Sequence, residues 1–166
     1  MKQINVAKLT LNIGIGEAGD KLNKATVLLT NIAKAKAVQT KTMKRIPTWG
    51  VRPKLAIACK VTLRKKKAEE LLNRLLKAVD NKINESKFDD YGNFSFGIPE
   101  YIDIPGAEYD PNIGIIGLEA AVTLERPGFR IKRRFMKSKI PARHKISKQE
   151  AIEFIKSKYN TEVIGG

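Results

Sequence analysis

Cysteine and histidine are almost absent from this chain of 166 residues, which contains only Cys59 and His144. A single cysteine excludes an internal disulfide framework and suits a reducing compartment. One cysteine and one histidine also leave too few ligands for a zinc site. No apolar run approaches the ~18 residues of a membrane-spanning helix, and no signal peptide is expected at the start of the chain. These absences favour a cytoplasmic protein that binds no metal ion and no membrane.

Acidic residues are missing from two long stretches. From Lys21 to Ala68 there is no Asp or Glu but 14 Lys and Arg, and from Arg126 to Gln149 there is no acid but 10 Lys and Arg. The segment between them, Glu69 to Glu125, carries 12 acids and 4 basic residues. Soluble proteins generally mix the two signs over their surface. On a chain with a net charge of +15, this zoning favours a bound nucleic acid over an ordinary solvated surface.

The stretch from Gln39 to Lys67 is the segment that we expect to contact the nucleic acid. Apolar residues at every second position from Leu55 to Leu63 indicate a strand with one buried face, and Val38 to Ile46 is also typical of a strand. Two prolines bound the segment between them, so we expect a hairpin tip there. Cations surround its one aromatic ring, as is typical of RNA-binding surfaces. Trp49 could instead fold back onto the second strand as a local staple.

The predicted order of elements is strand, helix, strand, strand, helix, strand, strand, helix. Asp20 can cap the first helix, and a capping box from Ser147 to Glu150 predicts the start of the last one. Hairpin links with long helices predict an α+β fold, in which helices cover one face of a mostly antiparallel sheet and the other face is open for RNA. We expect a single domain over residues 1–166, with a basic hairpin tip at 44–54 and a basic arm at 126–145.

Residues Gly14 to Gly19 spell GxGxxG between a strand and a helix, which is the pattern of a dinucleotide site. That fingerprint also needs an acid about 20 residues further on, whereas the next acid after Asp20 is Glu69. A doubly wound sheet would need crossover helices instead of the short hairpin. We therefore favour a tight strand-to-helix turn, or one whose amides approach an RNA phosphate, over a cofactor site.

No constellation of residues predicts catalysis. Cys59 alternates with the core residues and lacks a partner histidine, so it is expected to be a small buried side chain. His144 lies in the basic arm, where phosphate contact or exposure to solvent is expected. The long loop after the fourth predicted strand, here called the acidic loop, carries Glu100, Asp103, Glu108 and Asp110. These carboxylates could form a metal site or a general-acid pair, but their spacing matches no calcium loop, and a solvated or partner-facing surface is favoured. We predict that the protein is not an enzyme and binds no cofactor. One alternative is an RNA-modifying enzyme that uses the GxGxxG loop for a nucleotide cofactor. Another is a module that binds anionic membranes, but the sequence lacks the basic amphipathic helix that such a module needs.

Several segments resemble, in order, the family of large-subunit ribosomal protein five, in its archaeal-like version (protein eleven in eukaryotes). They are Leu11–Glu17, Thr40–Lys41, Trp49–Arg52, Lys60–Arg64, Phe96–Gly97, Tyr109–Asp110 and Gly117–Leu118. Lys65 departs from the bacterial pattern, which usually has glycine there. Arg126–Phe129 and the basic run after it are similar to archaeal and eukaryotic members.

The resemblance implies a structural protein that docks 5S rRNA onto the large-subunit rRNA in the central protuberance, beside a neighbouring 5S-binding ribosomal protein. It also implies contacts with peptidyl-site tRNA and an intersubunit bridge to head protein thirteen of the small subunit. The residues expected to bind rRNA are Asn12, Gln39, Thr40, Lys41, Lys60, Thr62 and Arg64. Those expected at the tRNA are Lys44, Arg45, Trp49, Arg52 and Lys54. Those expected at the bridge are Glu100, Asp103, Glu108, Tyr109 and Asp110.

Overall fold

The computed structural model describes residues 1–165. Within them it has three helices and seven strands, in the order β1 (Asn5–Gly14), α1 (Asp20–Ala33), β2 (Val38–Lys41), β3 (Ala56–Leu63), α2 (Lys66–Lys77), β4 (Lys82–Asn84), β5 (Phe94–Ile98), β6 (Leu118–Glu125), α3 (Lys148–Tyr159) and β7 (Glu162–Ile164). Five strands form one sheet in the order β2-β3-β1-β6-β5. The predicted α+β fold with a mostly antiparallel sheet is confirmed.

Strands β4 and β7 were not predicted from the sequence. They pair in parallel as a separate two-stranded sheet, with Lys82 opposite Glu162 and Asn84 opposite Ile164. Each strand has only three residues, which is too short for an alternating pattern to be recognised. The pairing therefore depends on contacts between distant parts of the chain.

The described residues form two compact units. The first contains Met1–Leu9, Arg64–Phe96 and the chain from Ala121 onward, and the second contains Thr10–Leu63 and Gly97–Ala120. The first unit thus holds α2, α3 and the basic arm. The second holds α1, the hairpin of β2 and β3, and the acidic loop after β5.

Helix α1 packs on β3 in the second unit. Its buried side chains recur every three or four residues, as expected for one face of a helix, and are Leu22, Ala25, Leu28, Leu29, Ile32 and Ala33. Cys59, Val61 and Leu63 are the buried side chains of β3, so the strand buries every second residue. Asp20 is the first residue of α1 and not its cap, which is Gly19 with a φ of 144°. The capping prediction was wrong by one residue.

In the first unit, α2 and α3 bury their apolar faces. The buried residues of α2 are Ala68, Leu71, Leu72, Leu75 and Leu76, and those of α3 are Ala151, Ile155 and Tyr159. The predicted capping box of α3 is confirmed. The Glu150 amide donates to Ser147 Oγ at 3.3 Å, and the Ser147 amide donates to Glu150 Oε2 at 3.0 Å.

Lys65, at the start of α2, has an unusual backbone. Its φ is 59° and its ψ is −145°, a conformation that glycine adopts readily and other residues adopt at a cost of about 1–3 kcal/mol. The Lys65 carbonyl accepts hydrogen bonds from the amides of Ala68 and Glu69 at 3.0 and 3.3 Å. The first turn of α2 therefore holds in place a backbone conformation that favours glycine.

Candidate nucleic-acid interface

Strands β2 and β3 align polar side chains on the sheet face opposite α1. Val38 pairs with Lys60 and Thr40 with Ala58, and after a register shift Lys41 pairs with Ala56. Residues that pair directly across antiparallel strands share a face. Lys60, Thr62 and Lys41 are exposed and Thr40 is half-buried, as is Asn12 on β1. We call these five residues, Asn12, Thr40, Lys41, Lys60 and Thr62, the open face.

Gln39 lies on the other side of the sheet. It pairs with the buried Cys59, and its Nε2 donates to Oδ1 of Asn23 on α1 at 3.2 Å. Gln39 was predicted to bind rRNA together with the residues of the open face, but it lies on the face that packs against α1. An rRNA contact at Gln39 stays a prediction, and it would have to come from the helix side.

Arg64 follows the last residue of β3 and is exposed. It belongs to the first unit, where it lines a concavity together with Asn5, Lys65, Lys66, Glu69, Glu125 and Arg133. Four of these seven side chains are basic and two are acidic. Arg64 therefore lies in the first unit among both basic and acidic side chains, and its contact with rRNA stays a prediction.

The hairpin continues beyond the paired strands to a closed tip. The Thr42 amide donates to the Leu55 carbonyl at 2.9 Å, and the amides of Ile46 and Val51 donate to each other's carbonyls at 3.0 and 3.1 Å. Pro47–Trp49 form one turn of 3-10 helix, and Gly50 leaves it with a φ of 64°, which a glycine allows without strain. The chain therefore reverses direction between Ile46 and Val51, within the segment where the tip was predicted.

Trp49 is 75% exposed at this tip, whereas Val51 is buried. The staple alternative is wrong, because a ring folded onto β3 would lose most of its contact with solvent. One side of the ring borders a concavity lined by Ile15, Gly16, Glu17, Thr42, Ile46, Val51 and Ile57. Lys44, Arg45, Arg52 and Lys54 are all exposed. The tip therefore presents an accessible ring among four cations.

Two amides of the GxGxxG loop donate hydrogen bonds within the protein. The amides of Ile15 and Gly16 both donate to the Ile57 carbonyl, at 3.0 and 2.9 Å. Gly16 and Gly19 have φ values of 85° and 144°, so the turn itself requires these two glycines. A dinucleotide loop needs free amides at the pyrophosphate. The geometry is that of the tight turn predicted above.

The acidic loop divides into a supporting residue and exposed ones. Asp110 is half-buried, and its Oδ1 accepts hydrogen bonds from the amide and side chain of Asn112 at 2.9 and 3.0 Å. Its own amide donates to the hydroxyl of the buried Tyr101 at 3.0 Å. Glu100, Asp103, Glu108 and Tyr109 are exposed. Asp110 therefore supports the loop, and the other four predicted bridge residues form its surface.

Arg126, at the start of the basic arm, is 5% exposed. Its Nη2 donates to Glu150 Oε1 at 2.7 Å and its Nη1 to the Lys145 carbonyl at 3.2 Å. His144 Nε2 lies 2.9 Å from the Pro127 carbonyl, and its ring meets Phe129 edge to face. These contacts join the two ends of the arm, so we call Arg126, His144, Lys145 and Glu150 the arm clasp. His144 is half-buried in a protein contact.

The clasp also affects Glu150. The Ser147 amide and then the Arg126 guanidinium hold the pKa of the Glu150 carboxyl below its usual range, because both stabilise the charged form. Arg126 is the first residue of the predicted basic arm, and its side chain is buried in the clasp. No role was predicted from the sequence for Phe135, which is fully exposed in the arm. The feature that could have identified it is an aromatic residue within a basic segment that contains no acid.

Other reactive groups lie away from these surfaces. Burial raises the pKa of the Cys59 thiol, which keeps it in the weakly reactive protonated form. In residues 1–165 no cluster of three or more His, Cys, Asp or Glu is suited to a metal ion. Across the same residues, none of the helices has the length and apolar character needed to cross a membrane.

Comparison with known proteins identifies relatives along the whole chain. A family model described as ribosomal protein L5 matches residues 1–52, and a model for the C-terminus of that family matches residues 56–154. The large ribosomal subunit protein uL5 of Sulfurisphaera tokodaii is 50% identical, with 100% of this chain and 95% of the relative covered. The uL5 protein of Nanoarchaeum equitans is 51% identical, with 99% of this chain and 98% of the relative covered. That of Methanosphaera stadtmanae is 44% identical, with 98% of each covered.

These matches confirm the resemblance found in the sequence, including its archaeal character, because all three relatives are archaeal proteins. None of the three is named as an enzyme. The chain belongs to the ribosomal protein L5 family.

Proposed function

We propose that the chain binds 5S rRNA through its open face and helps to dock that RNA onto the large-subunit rRNA, beside a neighbouring 5S-binding protein. As a member of the L5 family it is a cytoplasmic protein of the large ribosomal subunit and associates with rRNA there. No step in this role needs a catalytic group.

The observation that carries the proposal is the composition of the open face. Lys41 and Lys60 supply cations for phosphates, and Asn12, Thr40 and Thr62 supply short polar groups for riboses and base edges. Ala56 and Ala58 lie on the same face, so a bulky ligand can approach the strand backbone closely. No acid occurs from Lys21 to Ala68, so strands β2 and β3 themselves carry no charge that would repel an anionic chain.

Replacement of Lys60 and Thr62 together by alanine tests this face. We expect 5S rRNA to bind about tenfold more weakly. The slope of log binding constant against log salt concentration should also become shallower by about one unit, because one cation that contacts a phosphate is removed. Both side chains are exposed, so the circular dichroism spectrum should not change. Filter binding at several salt concentrations provides the measurement.

The matched control is Lys24→Ala with Asn31→Ala. This pair also removes one lysine and one neutral polar side chain, and both residues are exposed on α1. It should bind 5S rRNA like the natural protein. Equal weakening by the two pairs would mean that only net charge matters, and no weakening by either would exclude the open face.

The hairpin tip is proposed to contact tRNA in the peptidyl site. A closed hairpin end with an exposed ring and four exposed cations suits the irregular, largely non-duplex surface of a folded RNA. The cations would contact phosphates without sequence preference.

The acidic loop is proposed to contact a basic protein of the small-subunit head. Its exposed carboxylates would repel RNA, and Ile102, Tyr109 and Ile115 add exposed apolar area beside them. Acids together with apolar side chains suit a cationic protein surface.

The variant Asp103→Lys with Glu108→Lys should impair subunit joining severalfold, since two attractive charges become repulsive. Binding of 5S rRNA should be retained, because neither residue lies on the open face. Light scattering of mixed subunits measures joining, and Glu70→Lys with Glu153→Lys, which reverses two exposed carboxylates on α2 and α3, serves as the control. Normal joining by the loop variant would remove the bridge proposal. Loss of 5S rRNA binding instead would show that the RNA-binding and protein-binding faces are confused.

A further inference from the structure

Phe135 is a large apolar side chain without any cover. Its exposure is 103% of the reference value, and that of Met136 beside it is 77%. Single exposed apolar side chains are common on folded proteins and carry little information by themselves, so the surroundings of Phe135 decide what it can bind. None of the surfaces proposed above includes this residue.

The segment around Phe135 has a defined shape. The Ser138 amide donates to the Ile131 carbonyl at 3.0 Å, which closes a loop, and Arg134 Nε donates to the Met136 carbonyl at 2.9 Å across its end. Arg133 Nη2 pairs with Glu125 Oε2 at 2.6 Å and ties the loop to β6. The arm clasp holds both ends of the arm. The ring is therefore displayed by a preformed loop, which lowers the entropy lost when a ligand binds.

The charge around the ring indicates the kind of ligand. Lys132, Arg134, Lys137 and Lys139 are exposed within a few residues of Phe135, and no acid occurs from Arg126 to Gln149. The ligand must therefore combine negative charge with a flat apolar surface. An unpaired nucleotide has both, because its base presents a π-face and its phosphate a charge.

We propose that Phe135 stacks on an unpaired base of rRNA and that Lys132, Arg134, Lys137 and Lys139 bind the phosphates beside that base. This site is on the arm and is separate from the open face and the hairpin tip. It does not require that the open face binds 5S rRNA. The arm is thus a second RNA contact of this chain, with an aromatic anchor.

The test uses the full-length protein and two probes, 5S rRNA and protein-free large-subunit rRNA, titrated separately. Phe135→Ala should weaken binding to at least one probe by between about 5-fold and 100-fold, the range found when a stacking ring is removed from single-strand binders. The salt dependence should not change, because no charge is removed. Phe135→Tyr keeps a ring and should bind within about twofold of the natural protein.

The control is Tyr91→Ala, which removes a ring that is 65% exposed in the turn with Asp89 and Asp90. The ring centroid lies 5.9 Å from Lys145 Nζ, whereas the arm clasp uses the Lys145 carbonyl, so loss of the ring should leave the clasp intact. It should bind both probes normally. A second readout uses Phe135→Trp in a chain where Trp49 is replaced by Phe. The fluorescence of this one indole should be quenched when RNA is added.

Normal binding of both probes by Phe135→Ala, without quenching of the indole, would overturn the proposal. If that variant were also washed from large subunits more easily, the ring would occupy a pocket of a neighbouring protein, which equally overturns it. The Lys60 and Thr62 variant in the same titrations reports separately on the open face. The two proposals can therefore fail independently.

Discussion

Large subunits that carry Trp49→Ala and Arg52→Ala are expected to release peptidyl-site tRNA about tenfold faster than natural subunits. The ring is 75% exposed at the hairpin tip, and the loss of one stacking contact is worth ~1–3 kcal/mol. Loss of the Arg52 guanidinium removes a further phosphate contact. Dissociation of labelled tRNA from reconstituted ribosomes measures the effect.

Incorporation of 5S rRNA should be unchanged in the same particles, because neither residue is on the open face. Trp49→Phe with natural Arg52 is the matched control, and it should keep most of the stacking contact. Since the exposed ring contributes little to the protein core, the isolated double variant should melt within a few degrees of the natural protein. A normal rate of tRNA release, or a large loss of melting temperature, would contradict the proposed role of the tip.

Replacement of Arg126 by alanine is expected to lower the free energy of unfolding by about 2–4 kcal/mol. The change removes two hydrogen bonds and the packing of a side chain that is 6% exposed. It also frees the two ends of the basic arm. Denaturant unfolding followed by circular dichroism measures the loss.

The matched control is Arg133→Ala, another arginine of the arm that pairs with an acid. The Arg133 to Glu125 distance is 2.6 Å and the Arg126 to Glu150 distance is 2.7 Å, but the Arg133 side chain is 60% exposed. Exposed ion pairs contribute about 1 kcal/mol or less. Equal falls in the free energy of unfolding for the two variants would show that burial of Arg126 does not increase its contribution to stability.

The stabilising contribution of Glu150 should depend on pH. Its pKa is lowered in the folded protein, chiefly by the Ser147 amide and then by Arg126, so the folded state favours the charged carboxylate. The contribution is therefore fully present above the ordinary pKa of a glutamate and is lost as the pH falls through the lowered value. The natural protein should therefore lose its advantage in unfolding free energy over Glu150→Gln as the pH falls from the ordinary pKa of a glutamate to below the lowered pKa of Glu150. A constant difference down to the lowest pH would contradict the assignment.

Local patterns in the sequence were sufficient for most elements of this fold. Alternation from Leu55 to Leu63 predicted β3, and the residues from Ser147 to Glu150 predicted the start of α3. Two prolines around Trp49 predicted the tip. Each pattern depends on residues that are close in the chain, where backbone geometry and burial of one face leave few alternatives.

The positions of several site residues required the tertiary structure. Gln39 looked equivalent to Thr40, but pairing with Cys59 places it beside α1. Arg126 looked like the other arginines of the arm, and only contacts with Lys145 and Glu150, 19 and 24 residues away, explain its burial. A sequence pattern does not contain the register between strands or the partners of a side chain.

The sequence by itself determined the charge zones, the periodicity of the main strands and helices, and the family. Only the tertiary structure decided which polar groups share a face, that the Gly14 to Gly19 loop directs two amides to Ile57, and that Phe135 stands free on a closed loop. The physical reason is that composition and periodicity follow from neighbouring residues. Strand register, side-chain burial and hydrogen-bond partners follow from packing between segments that are distant in the chain.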